Sequence, residues 1–221
     1  MGMIDMIPMS IRIMMLYVKC KKLTKRQDMS ETQKLEAIRR KEYFWKGSEG
    51  FAPTKVGKIQ SPAVSIGMRD MAGIYCLLHA PNDALRHLNA IGTSLMDNYN
   101  SLPNDQQHAH KRQSIFEAQI FAWLHEADAY AQLKNTDRVR LLFDKINQTL
   151  LTAIESDPSN KRLHAFYHQC IQQTFDTFID MANTNPDIKQ NIYQTCLKLL
   201  KTFDRRDPGN DTITELIKRF H

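Results

Sequence analysis

Two histidines, His164 and His168, stand four residues apart, a spacing that on a helix puts both imidazoles on one face, as a divalent metal would need. Cys170 is close by, but a structural zinc site takes four ligands, and nothing at matching spacing completes the set. His108 and His110 are likewise only two. His125-Glu126, followed by Asp128, begins like a metallohydrolase helix, yet position 129 is alanine where HExxH needs its second histidine. No GxSxG elbow, Walker-type phosphate loop, GxGxxG turn or DxDxDG calcium loop occurs. The sequence thus nominates no catalytic group, no metal ligand and no cofactor, and the expectation is a protein that binds rather than converts.

What remains is charge. Residues 1–60 hold 13 Lys/Arg against 6 Asp/Glu, whereas residues 61–221 hold 17 against 18. The excess gathers in Lys19–Arg26 and Arg39–Lys41, and the candidate contacts there are Lys21, Lys22, Lys25, Arg26, Arg39, Arg40 and Lys41. Clustered cations suit an acidic protein or the phosphates of a nucleic acid, and they equally suit a solvated tail. Reading a base sequence would need a recognition helix, and no helix-turn-helix pattern is evident. Any nucleic-acid contact is therefore expected to be nonspecific.

The elements that must position these groups read as helices. Only eight glycines occur in 221 residues, five of them before residue 68, so the later chain has few positions suited to bulges and tight β-turns. Prolines at 103, 158 and 208 mark corners about fifty residues apart, with amphipathic stretches between them. The apolar run Ile11–Val18 is too short for its period to choose between a strand and a turn or two of helix. Ser30 and Gln33 form a capping box opening a helix to about Trp45, and 47–66, rich in Gly and Pro, reads as a linker.

Helices are then expected over 68–80 and 84–98. The clearest hairpin follows, with Phe116 to Ala131 in one arm and Val139 to Ile154 in the other, Asn135 serving as a left-handed C-cap and Thr136 as an N-cap. Asp157-Pro158 and Asn185-Pro186 read as N-cap and first helical residue of two more helices, and 213–220 as a last short one. The fold class is all-α: stacked antiparallel helical hairpins, a solenoid or bundle over 67–221, preceded by an irregular basic arm over 1–66.

Trp123, Ala127, Tyr130, the Leu133-Lys134-Asn135 turn and Phe143 stand at the spacings of a tetratricopeptide repeat, which this segment resembles. It departs from the pattern where Lys134 replaces a turn glycine and Val139 and Ile146 replace alanines. The resemblance covers about a tenth of the chain and implies a concave helical stack that holds a protein or peptide, as an adaptor, chaperone or regulatory subunit. Arg138, Gln148, Gln172 and Lys189, polar positions on the later helices, are the candidate contacts in the helical body. The alternative is a nucleic-acid-associated regulator whose basic region touches the polymer while the body senses or dimerises.

Four scattered cysteines without a CxxC pair point to reduced thiols and a cytoplasmic setting. Asp5 and Arg12 interrupt the first apolar stretch, which argues against a secretory signal and against membrane insertion. The broad apolar face of 163–182 suggests either an internal helix or a surface for self-association into a homo-oligomer. Met29, just ahead of the capping box, is also a candidate natural start of the chain.

Overall fold

The computed structural model describes residues 7–46, 61–206 and 211–219, and these contain helices and no strand. They are α1 (Met9–Thr24), α2 (Glu31–Lys46), α3 (Pro62–Leu77), α4 (Pro81–Ile91), α5 (Ser94–Ser101), α6 (Ala109–Gln132), α7 (Thr136–Ser156), α8 (Lys161–Thr184), α9 (Lys189–Arg206) and α10 (Asp211–Arg219). The chain divides into two compact units, Met1–Ala129 and Tyr130–His221.

The first unit is organised around α3. Pro62 opens it at a position where a missing amide costs nothing, and Val64, Met68, Met71, Ala72, Tyr75 and Cys76 are all buried. A helix apolar on several sides must be covered on several sides, and α1, α4 and α5 pack against it. On α1 the covering residues are Ile13, Leu16 and Cys20, each fully buried and spaced i, i+3, i+7. Gly67 lets the two helices approach: a Cβ there would lie 2.7 Å from Cγ1 and Cγ2 of Ile13.

Residues 9–24 are therefore one sixteen-residue helix, where the sequence left open a strand or a turn or two of helix. With α2 they belong to the core of the first unit, whose limit falls at Ala129 and not at the expected 66. The linker expected over 47–66 lies mostly outside the described residues, and its last part is already α3.

The Ser30–Gln33 capping box forms: the Ser30 amide donates to Gln33 Oε1 at 2.9 Å, and the Gln33 amide to Ser30 Oγ at 3.3 Å. The single helix expected over 84–98 is two, because Gly92 takes a φ of +52° and ends α4. Arg112 of α6 closes the next corner, donating to the carbonyls of Tyr99 (3.0 Å) and Leu102 (2.6 Å) while its guanidinium lies 4.2 Å from the centre of the Tyr99 ring.

In the second unit α7 packs on α8, α8 on α9 and α9 on α10, with α10 also meeting α8. Phe143 and Phe178 sit with ring centres 4.9 Å apart, and Phe175 is 6.4 Å from Phe178. Leu163, Phe166, Tyr167, Cys170, Ile171, Phe175, Phe178, Met181 and Ala182 are buried within the chain. The apolar face of 163–182 thus belongs to an internal helix, which removes the reason for expecting self-association there.

Two of the caps shift by a residue or more from their expected places. Lys134, not Asn135, takes the left-handed conformation (φ +59°), and Asn135 is the N-cap of α7, accepting from the Arg138 amide at 3.1 Å. Asp157 closes α7, and the N-cap of α8 is Asn160, whose Oδ1 accepts from the Leu163 amide at 3.0 Å. Asn185 stands at the expected N-cap position, with Pro186 opening a short 3-10 turn, Pro186–Ile188, that leads into α9, but its side chain turns back onto the Met181 carbonyl (3.0 Å). Several Asn and Asp residues crowd each corner and more than one can cap, so local geometry chooses among them. The corner at Pro208 lies outside the described residues.

Candidate functional site

Two arrangements of polar side chains stand out in the first unit; of the residues nominated from the sequence, Arg39 reaches the edge of the first, and Arg26, Arg40 and Lys41 line the second. The first is buried. Glu42 of α2, 4% exposed, accepts from Arg86 Nη1 at 2.7 Å and Nη2 at 3.0 Å and from the Tyr75 hydroxyl. His87 Nε2 lies 3.2 Å from Glu42 Oε2, within ion-pair range but without the alignment of a hydrogen bond, and its ring stacks on Tyr75 with centres 5.5 Å apart. Asp83 joins Arg86 (3.4 Å) and Arg39 (2.5 Å) at the edge of the cluster.

Burial by itself would push the Glu42 carboxyl up; the contacts with His87, Arg86 and Tyr75 outweigh it and hold the group well below the usual carboxylate range. The Tyr75 hydroxyl is held above the usual phenol range by burial and by the charge of Glu42. A carboxylate with a tyrosine, a histidine and an arginine could in principle move protons. Here the carboxylate is buried and its contacts tie α2, α3 and α4 together.

The residue pattern does carry a trace of it. Glu42 occupies the inward stripe of half-buried Leu35 and buried Ile38, Glu42 and Trp45, and His87 the buried stripe Ala84, His87, Leu88, Ile91. A charged residue on an otherwise apolar face requires a buried partner.

The second arrangement is an open cleft of about 810 Å³ between α1 and α2, lined by Lys19, Arg26, Asp28, Met29, Gln33, Glu36, Ala37, Arg40, Lys41, Phe44 and Trp45. Trp45 is buried while Phe44 is 60% exposed, and their rings meet edge to face at 5.8 Å. The Lys19 ammonium lies 5.3 Å from the centre of the Trp45 ring. Arg26 is paired with Asp28, and Arg40 lies 3.8 Å from Glu36. The cleft is therefore a mixed surface of four cations and two carboxylates around an exposed aromatic.

Of the basic residues nominated from the sequence, Arg26, Arg40 and Lys41 line this cleft. Arg39 turns instead to Asp83, and Lys21 and Lys22 on the last turn of α1 and Lys25 at its C-cap are exposed, with Lys21 5.5 Å from the Tyr17 ring centre. The candidates of the second unit are spread over three helices. Arg138 and Gln148 are exposed on α7, Gln172 donates to Asp176 (3.1 Å) on α8, and Lys189 lies over Tyr193 (5.4 Å) on α9.

Among the described residues no group of three His, Cys, Asp or Glu side chains is placed to hold a metal ion. His164 Nε2 faces the Pro158 carbonyl at 3.0 Å, and the His168 ring meets Tyr167 at 5.7 Å. His125 fills the space beside Gly73, where a Cβ would come within 2.8 Å of its Nε2. All four cysteines are buried and none is in a disulfide, and burial pushes the thiols of Cys20 and Cys196 up to about 12, the charge of Glu42 adding to the effect at Cys20. None of the described helices is long and apolar enough to cross a membrane. No family model, curated protein or solved structure matches the chain.

Proposed function

We propose that the protein is a non-enzymatic helical module that holds another protein through the cleft between α1 and α2. The observation that carries this reading is the combination of exposed Phe44, a cleft of about 810 Å³ and cations interleaved with carboxylates. An aromatic anchor framed by charges of both signs suits a polypeptide, whose side chains can answer each in turn. With Arg26 and Arg40 already beside carboxylates, Lys19 and Lys41 are the cations best placed to select an acidic segment. The packing of α7 on α8 and α8 on α9 supports a reading of the second unit as stacked hairpins of the tetratricopeptide kind, with Arg138, Gln148, Gln172 and Lys189 on its polar faces.

The second reading, nonspecific contact with single-stranded nucleic acid, is favoured by the same Phe44, on which a base could stack beside Lys19 and Lys41. Asp28 and Glu36 in the cleft wall oppose a phosphate backbone, which is why it ranks second.

Fluorescence anisotropy separates the two. A labelled peptide of alternating acidic and aromatic residues should bind the native chain, and Phe44→Ala or Lys41→Glu should weaken it about tenfold or more. An oligonucleotide that binds more tightly than the peptide, with affinity falling steeply as salt rises, would decide for the second reading.

A further inference from the structure

The outward face of α1 is apolar for two turns and then basic. Ile11, Met14, Met15 and Val18 are 42%, 58%, 37% and 47% exposed and follow the i, i+3, i+4, i+7 spacing of one helix meridian. Lys22 and Lys25 continue that meridian and Lys21 flanks it, all three exposed, so the stripe runs about 21 Å at 1.5 Å per residue. The opposite face, Arg12, Ile13, Leu16 and Cys20, is buried, so the helix cannot roll to hide its outer side. None of the four apolar residues lines the cleft of α1 and α2, and α1 contains no carboxylate.

We infer that this face seats the protein on an anionic lipid surface: the four apolar side chains enter the boundary between headgroups and acyl chains, and Lys21, Lys22 and Lys25 meet lipid phosphates or carboxylates. Such a helix lies along the interface and does not span it.

Charge and shape select this occupant over the others. A second copy packed in parallel would bring lysine against lysine, and packed antiparallel it would press each lysine end onto the other's apolar end. A bound peptide would want a groove, whereas a single outer meridian is a ridge, which a soft planar interface accommodates. The inference concerns a different surface from the proposed protein-binding cleft and stands or falls separately.

The test is co-sedimentation of the full chain with vesicles of phosphatidylcholine alone and with vesicles in which about a third of the lipid is phosphatidylserine. The native chain should sediment with the anionic vesicles only, less so as salt rises. Met14→Ser with Val18→Ser should lower apparent affinity about tenfold or more while thermal melting followed by circular dichroism stays unchanged, because both positions are exposed. Lys22→Glu with Lys25→Glu should act in the same direction by removing the attraction to the anionic headgroups. Phe44→Ala, a cleft change, should leave sedimentation unaltered. Three results overturn the inference: no sedimentation with anionic vesicles, equal sedimentation of the native and Met14/Val18 chains, or a lipid-free dimer that the Met14/Val18 changes disperse.

Discussion

The two compact units hold their helices together by different means. In the first, α3 is wrapped by neighbours that are distant in the chain as well as adjacent, and a buried carboxylate, Glu42, joins α2 to Tyr75 of α3 and to Arg86 and His87 of α4. In the second, each helix packs on the next through buried aromatic and aliphatic side chains, Phe143 against Phe178 among them, while its polar ties between helices, Tyr167 to Asn147 (3.3 Å) and Arg219 to Asp176 (3.1 Å), are exposed or only partly buried. Polar ties are directional and fail when one partner is lost, because the others remain buried without it. Apolar packing is non-directional and fails in proportion to the volume removed. The difference predicts where each unit is vulnerable, and to what.

The largest expected effect comes from removing residues 1–28. Ile13, Leu16 and Cys20 would go, each of the larger two contributing about 1.5–3 kcal/mol of burial, and α3 would lose one of its walls. Amide hydrogen exchange should then show α2, α3 and α4 unprotected while α7 and α8 keep their protection. Equal loss in both units would break the comparison. For the same reason, deleting α1 is no clean test of charge contacts, and reversing single lysines is.

Phe143→Ala comes next, with an expected loss of about 3–5 kcal/mol confined to the second unit, read as a lowered unfolding midpoint for probes in α7 and α8. A negligible shift would mean that the Phe143–Phe178 contact does not organise that unit.

Glu42→Ala should cost the first unit about 3 kcal/mol, since the Tyr75 hydroxyl and the His87 ring would be left in the core without their carboxylate. The same residue gives the unit an acid limit. Its folded-state pKa is depressed, so its contribution is complete above the ordinary glutamate value of about 4.3 and is lost as pH falls below it towards the folded value. Denaturant titrations of the native chain should show stability declining over that acid range, and in the Glu42→Ala chain this component should be absent. The second unit, organised by apolar contacts, should lack that component altogether.

The smallest effect is a gain. Lys134 is an exposed, non-glycine residue at φ +59°, and Lys134→Gly should stabilise the α6–α7 turn by about 0.5–1 kcal/mol, measurable as a raised midpoint.

Helical character was legible along most of the chain because it is local: apolar periodicity, capping residues and scarce glycine act within one or two turns. The Ser30–Gln33 box and the core stripe of α8 could be read directly for that reason. Corners were legible only to within a few residues, since Asn135, Asp157 and Asn160 all have capping chemistry and the choice depends on how the flanking helices are held. Three of the eleven residues lining the cleft, Arg26, Arg40 and Lys41, are nominated by charge alone, while Phe44 and Trp45 join it only because α1 lies alongside α2.

By itself, then, the sequence determined that this chain is helical, where most of its helices lie and that its positive charge is concentrated near one end. Tertiary structure decided that the helices carrying the basic stretch contribute to a core, that Glu42, Tyr75, Arg86 and His87 meet, and that Ile11, Met14, Met15 and Val18 are left outside. The physical reason is range. Propensity and periodicity are set by neighbours three or four residues away, whereas burial of a charge or exposure of an apolar stripe depends on which surfaces, tens of residues apart, cover one another.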